Sequence, residues 1–117
     1  MLSFLSVLIF SFSACAAPWS TGTYSVELVQ DKEGDWVSQS CLESCALDQK
    51  ARAYLKENSL SAEDLEGGKS PGSVLCQKLA AKVIYLEQEK ISDAFCEQDK
   101  EVISLARFVR FVLAREH

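Results

Sequence analysis

Four cysteines, Cys41, Cys45, Cys76 and Cys96, constrain this chain more than any other feature. An even set in a small exported domain reads as two disulfides, because a core of roughly 100 residues gains much from cross-links. Four cysteines allow three pairings. Cys76 with Cys96 is the first pair expected, since a helix cysteine packed over the following hairpin can reach its return strand. Cys41 and Cys45 are then left together. On a regular helix their Cα atoms would sit about 6 Å apart, and the bond would strain or fray the first turn. The crossed pairings, tying the first helix to the second half, stay open. A zinc site is the sharper alternative. The spacings are not finger-like and the only His is the terminal His117, so no metal is expected. A redox dithiol is disfavoured because the motif is C-x-x-x-C rather than C-x-x-C.

The fifth cysteine, Cys15, ends an uncharged apolar leader. The run from Leu2 to Ala14 is too short to cross a bilayer, which needs roughly 20 residues. It fits the apolar region of a secretory signal, roughly 7–15 residues long. Small Ser13 and Ala14 leave the bond before Cys15 open to a peptidase. The segment looks like a bacterial lipoprotein export signal, in which the cysteine thiol carries a diacylglycerol. It lacks a Lys or Arg after Met1, and Phe12 stands where Leu is usual. An ordinary signal with Ala14-Cys15-Ala16 as the cleavage site is the other reading, and both export the chain. Ala16 rather than Asp after the cysteine resembles outer-membrane sorting in a two-membrane bacterium. The expectation is a signal peptide over 1–14, a tether over 15–23 and one domain over 24–117. Cys15 is then the lipidation site, and the membrane is a partner through the N-terminal lipid.

A net charge of −5 argues against nucleic acid as a partner, which calls for a basic patch. The acidic residues are spread along the chain and read as a solvated surface. Tyr24, Val26 and Leu28 alternate with polar residues, predicting a strand. A turn over 31–35 and a short return strand over Trp36–Ser38 follow. Ser40-Cys-Leu-Glu43 is a capping box that predicts a helix from Cys41 to about Asn58. Ser70-Pro71 restarts a helix to about Ala81. Val83–Leu86 and Ile91–Cys96 suit an antiparallel pair. Over 101–117, Val102, Leu105, Phe108, Val109 and Val112 suit a helix face, while Ile103, Leu105, Val109, Phe111 and Leu113 alternate as a strand would; length, Ala106 and Ala114 favour the helix. The expected fold class is α+β: a small disulfide-bonded domain with two or three helices and a short antiparallel hairpin or sheet.

The second half carries short motifs: Pro71, Ser73 and Cys76, a strand, then Cys96 and Asp99, with Arg110 beyond. Over about 70–111 these resemble a family of small bacterial lipoproteins of unassigned function that often bear the label haemolysin. Its pattern is roughly N-P-A-S-x-x-C-x-x-x-G-G, a strand, a Cys before F-x-D-G, then W-x-x-x-R-G. The chain departs from it at Ala80-Ala81, Lys100, Ala106 and Phe111. The resemblance implies an exported lipoprotein with a helix, a hairpin and a terminal segment. The label implies lysis, for which no long apolar helix or amphipathic pore hairpin is visible.

No catalytic residues are expected. Glu87 and Glu89, two apart, would share a strand face, but a solvated edge explains them better than acid–base work. Arg107 and Arg110 can grip an acidic group or lay their stems over apolar surface. His117 is terminal and a poor base. Gly67-Gly68-Lys69-Ser70 has only the end of a phosphate loop. Trp36 reads as core and Trp19 as part of the tether; with Tyr24, a ligand shelf or a position against the membrane interface is the alternative. The function these features predict is a non-enzymatic binding or structural role in the envelope, without a cofactor, toward an envelope protein or a glycan. Inhibition of a lysozyme or protease through a projecting loop, 58–70 or 87–92, is the alternative.

Overall fold

The computed structural model describes residues 16–115. Six strands pair antiparallel into a closed barrel, in the order β1 (Ala17–Thr21), β2 (Tyr24–Gln30), β3 (Trp36–Val37), β6 (Glu101–Ser104), β5 (Ile91–Gln98), β4 (Lys82–Gln88). Three helices cover one side: α1 (Ala46–Glu57), α2 (Pro71–Lys78) and α3 (Leu105–Arg115). The expected α+β domain with a short hairpin or sheet is therefore corrected to a closed β-barrel with three helices.

Two segments account for the difference. Ala17–Thr21, expected within a tether, is β1. It pairs with β2 from Ala17↔Leu28 to Thr21↔Tyr24, around a two-residue turn at Gly22-Thr23. Gly22 supplies the left-handed φ of +43° that the turn needs. Trp19 lies in the middle of this strand and is 1% exposed, not loose. Glu101–Ser104, expected as helix, is β6. Asp99 and Lys100 take φ of +51° and +71°, a mirror-image hairpin turn that sends the chain back along β5. The β-branched pair Val102-Ile103 then fills the sheet.

Alternation along the strands makes two cores. Trp19, Leu28, Leu86, Phe95 and Val102, with Tyr24, Val26, Trp36 and Ile84 against them, form one cluster fed by all six strands, the barrel interior. Residues of opposite parity, Val29, Val37, Cys96 and Ile103, join the helices in a second cluster. The barrel closes through narrow seams. Ser20 pairs Glu87 between β1 and β4, and Val37 pairs Ile103 between β3 and β6. Ser38 strengthens the second seam. Its N–H donates to the Val102 carbonyl at 2.8 Å and its Oγ accepts from the Val102 N–H at 2.6 Å.

The helix ends follow local chemistry. α1 starts at Ala46, not at Cys41, because the chain over 39–45 is held by the Cys41–Cys45 disulfide, whose Cα atoms are 4.7 Å apart. That is closer than a regular helix turn allows. The Ser40–Glu43 capping box is thus not built. Glu101 on β6 takes its place, its Oε1 accepting from the Leu47 N–H at 2.8 Å, a carboxylate at a helix N-terminus. α2 begins as expected, with Ser70 as N-cap accepting from the Ser73 N–H and Pro71 in the first turn. It stops at Lys78, short of Ala81, since Ala80 turns left-handed with φ +60°. α3 follows β6 directly, capped by the Ser104 Oγ, which accepts from the Ala106 N–H at 3.1 Å.

Candidate functional site

The most developed side-chain cluster lies where the β2–β3 turn meets α1 and α3. The turn is locked by Asp31. Its Oδ1 accepts from the N–H groups of Glu33 and Asp35, both at 2.9 Å, an Asx turn completed by Gly34 at φ +87°. This leaves Asp31 Oδ2 aimed outward to accept from Arg107 Nη1 at 2.6 Å. On its other side Arg107 meets Asp48 as a fork: Nη2 donates to Oδ2 at 2.6 Å and Nε to Oδ1 at 3.3 Å. Asp48 is fully buried in the first turn of α1, where the helix dipole favours its charge. One turn further along α3, Arg110 donates to both carboxylate oxygens of Asp35, at 2.8 and 3.3 Å.

These pairs hold both guanidinium groups charged. Burial works against the Arg107 charge, but hydrogen bonds to Asp48 and Asp31 outweigh it and raise its pKa. The Asp35 carboxylate raises that of Arg110. The partnerships join residues 59 to 76 apart in sequence. No spacing rule announces them, and sequence reasoning missed Asp31, Asp35 and Asp48 as partners of the two arginines.

The cluster floors a half-open cavity of about 570 Å³. Its rim includes Lys32, Glu33, Leu42, Glu43, Arg52 and Phe111. Arg52 lies over the Phe111 ring, its guanidinium carbon 4.3 Å from the centroid. Exposed and without a carboxylate partner among the described residues, Arg52 differs from the neutralised arginines below it. The cavity therefore presents an apolar–cationic wall above an ionic floor in which Arg107 is buried and Arg110 half-exposed. That arrangement can hold an anionic or polar group of a partner. It brings no nucleophile next to a base.

The other expected residues fall elsewhere. Of the three cysteine pairings, the structure has Cys41–Cys45 and Cys76–Cys96. Cys41, Cys45 and Glu101 place ligand-type atoms within 4.8 Å of one another, but both sulfurs are spent in the disulfide and Glu101 caps α1. Glu87 and Glu89 do not share a strand face. Glu87 lies in β4, and Glu89 is in the turn with φ +54°. Residues 87–92 are accordingly a tight hairpin end and not a loop. Trp19 and Trp36 meet inside the barrel with centroids 5.6 Å apart, so they build core and not a ligand shelf. Tyr24 sits half-buried near the barrel mouth, its phenol pushed up by burial and by Glu97. Gly67 and Gly68, both left-handed, lead into the cap of α2. Cys15 and His117 lie outside the described residues.

Comparison of the chain with protein-family models, with curated proteins and with solved structures gives no match. The likeness to the small lipoprotein family therefore rests on the short motifs alone. No helix among the described residues is long and apolar enough to cross a membrane.

Proposed function

We propose that this chain is an exported bacterial envelope lipoprotein, held by acyl groups on Cys15, that binds a partner without catalysis. The partner is an envelope protein or glycan, and the contact is the cavity between the β2–β3 turn, α1 and α3. The observation that carries the binding reading is the contrast within this cavity. Arg107 and Arg110 are paired with internal carboxylates, while Arg52 on the Phe111 face is exposed and has no carboxylate partner among the described residues. Paired, hydrogen-bonded charges make a rigid floor, and an unpaired stacked guanidinium is a recognition group.

Two backbone features support the lipoprotein reading. The family pattern expects Gly at the positions of Ala80 and Lys100, and both take a left-handed φ here. Such positions favour glycine whatever residue occupies them. The leader before Cys15 supplies the export signal, and Ala16 favours the outer membrane, with the domain facing the periplasm.

Two experiments test this. Intact mass of membrane-extracted protein should show a chain beginning at Cys15 plus acyl groups; a lipid-free chain beginning after Ala16 removes the anchor. A photo-cross-linking residue in place of Ala114 at the cavity rim should capture an envelope component in living cells, and the same residue at Glu63 should not. Equal or absent capture at the two positions removes the cavity as the binding site.

Hydrolase inhibition is the second reading, favoured by one observation. The segment after α1 is self-locked: Ser61 and Asp64 exchange hydrogen bonds, and Lys78 pairs with Asp64 at 3.1 Å. A pre-ordered segment binds with little loss of entropy. Stoichiometric inhibition of a lysozyme or protease, abolished by Asp64→Ala, is the outcome expected of this reading. Full enzyme activity at excess protein discards it.

A further inference from the structure

We infer that the tip of the β4–β5 hairpin, Lys90 and Ile91, is a bilayer-contacting surface that sets the orientation of the barrel on a neutral-headgroup membrane. The inference rests on the Cys15 anchor proposed above and adds what the anchor does to the fold. With Ala17 already in β1, only Ala16 separates Cys15 from the barrel. At about 3.3 Å per extended residue, two residues reach at most about 7 Å from the start of the strand, which bounds how far an anchor on Cys15 can hold the barrel from the bilayer. No tether lifts the domain away, so the end of the barrel that contains Ala17 rests at the headgroups.

The register identifies what else lies at that end. β1 runs antiparallel beside β4 with Ser20 level with Glu87. Each step back along β1 is a step forward along β4, so the three steps from Ser20 to Ala17 reach Lys90. The hairpin tip and the anchor thus share one end of the barrel with the β2–β3 turn, because Ala17 pairs Leu28 and that turn follows Gln30, so the proposed binding cavity beside the turn is membrane-proximal as well. The tip also projects. β6 pairs only with residues 95–98 of β5, leaving residues 91–94 beyond its edge. At this tip Ile91 is 59% exposed, one of three large hydrophobic side chains among the described residues that stand out to solvent. An exposed aliphatic residue at a projecting turn, beside an acylated cysteine, inserts into the interface along with the chains. Glu87, Glu89 and Asp93 lie in the same hairpin, so contact is made by apolar insertion and not by attraction to anionic lipid.

The test uses the full-length acylated protein in vesicles of phosphatidylcholine with brominated acyl chains, which quench tryptophan on contact. Ile91→Trp and Glu63→Trp are compared after subtraction of the signal of the unsubstituted protein, whose two tryptophans lie in the barrel core. The added fluorescence at 91 should fall at least twofold, and that at 63 should be unchanged. Equal signals at the two positions, in protein whose mass shows acyl chains, overturn the inference and leave the anchor standing. A mass without acyl chains removes both. A photo-cross-linker at 91 that captures protein in place of lipid also overturns it, and makes the tip a protein-binding element.

Discussion

Arg107 is the side chain that carries the two most buried ion pairs among the described residues. It satisfies two carboxylates on different elements, and Asp48 has no access to water. Arg107→Ala therefore strands a buried charge, and should destabilise the protein by about 3–5 kcal/mol in urea unfolding. Replacing Arg107 and Asp48 by apolar residues of similar volume, with Asp31→Asn to keep the Oδ1 that locks the turn, should recover most of that loss, since the desolvation of three ions is avoided. Asp64 makes a pH-dependent counterpart at the surface. Backbone and side-chain hydrogen bonds from Ser61 and Lys78 hold its pKa below the ordinary value. Its stabilisation is thus fully present above about pH 3.9 and fades as pH falls through the lower folded value. In a carbon-detected NMR titration the Asp64 carboxylate should titrate below a reference peptide, and Lys78→Ala should move the midpoint up. The candidate site was only half legible at this scale. Arg107 and Arg110 stood out as cations with a possible acidic partner. Their real partners come from a turn and a helix that only the closed fold brings together.

At the scale of elements, the sequence was most readable where a cap or turn has local chemistry. Ser70-Pro71 starts α2 as its residues dictate, and the residues around Asp31 and Gly34 make the turn their types favour. The failures occurred where a distant group overrode a local signal. The Ser40–Glu43 capping box gives way to a disulfide and to Glu101 from β6. Val102 fits the helix pattern of this segment and Ile103 the strand pattern, and the hairpin turn decided between them. Two non-glycine residues in left-handed backbone, Ala80 and Lys100, yield a prediction. Ala80→Gly and Lys100→Gly should each raise stability by about 1 kcal/mol, seen as a higher midpoint of chemical denaturation. Gly72 behaves in the opposite way. A Cβ there would stand 2.5 Å from the Leu105 carbonyl oxygen at the start of α3. Gly72→Ala should push α2 from α3 and lower stability by about 1–3 kcal/mol, measured as a reduced Tm.

Across the whole molecule, the barrel was not legible because closure depends on the shortest strands. β1 carries Pro18 and only one large apolar residue in its interior positions, and β3 is two residues long. Neither gives the alternating run that marks a strand. The disulfides, by contrast, could be reasoned from the order of helix and hairpin. The Ser38 hydroxyl is the point at which the two halves of the chain lock. Ser38→Ala would leave the Val102 N–H buried without its partner, and should cost about 1–3 kcal/mol. Amide exchange should speed up first in β3 and β6, with the β4–β5 pairing unaffected, if the seam opens as a local unit.

The same seam governs the order of events as the chain is made. β3 waits for β6, a partner whose residues come more than sixty positions later. Until Ser104 has emerged, on the ribosome or across a membrane, the sheet keeps two open edges and no continuous interior. A chain of this design is committed to finishing its transit before it finishes folding. That suits a protein delivered unfolded, and leaves the unclosed sheet as its most aggregation-prone stage.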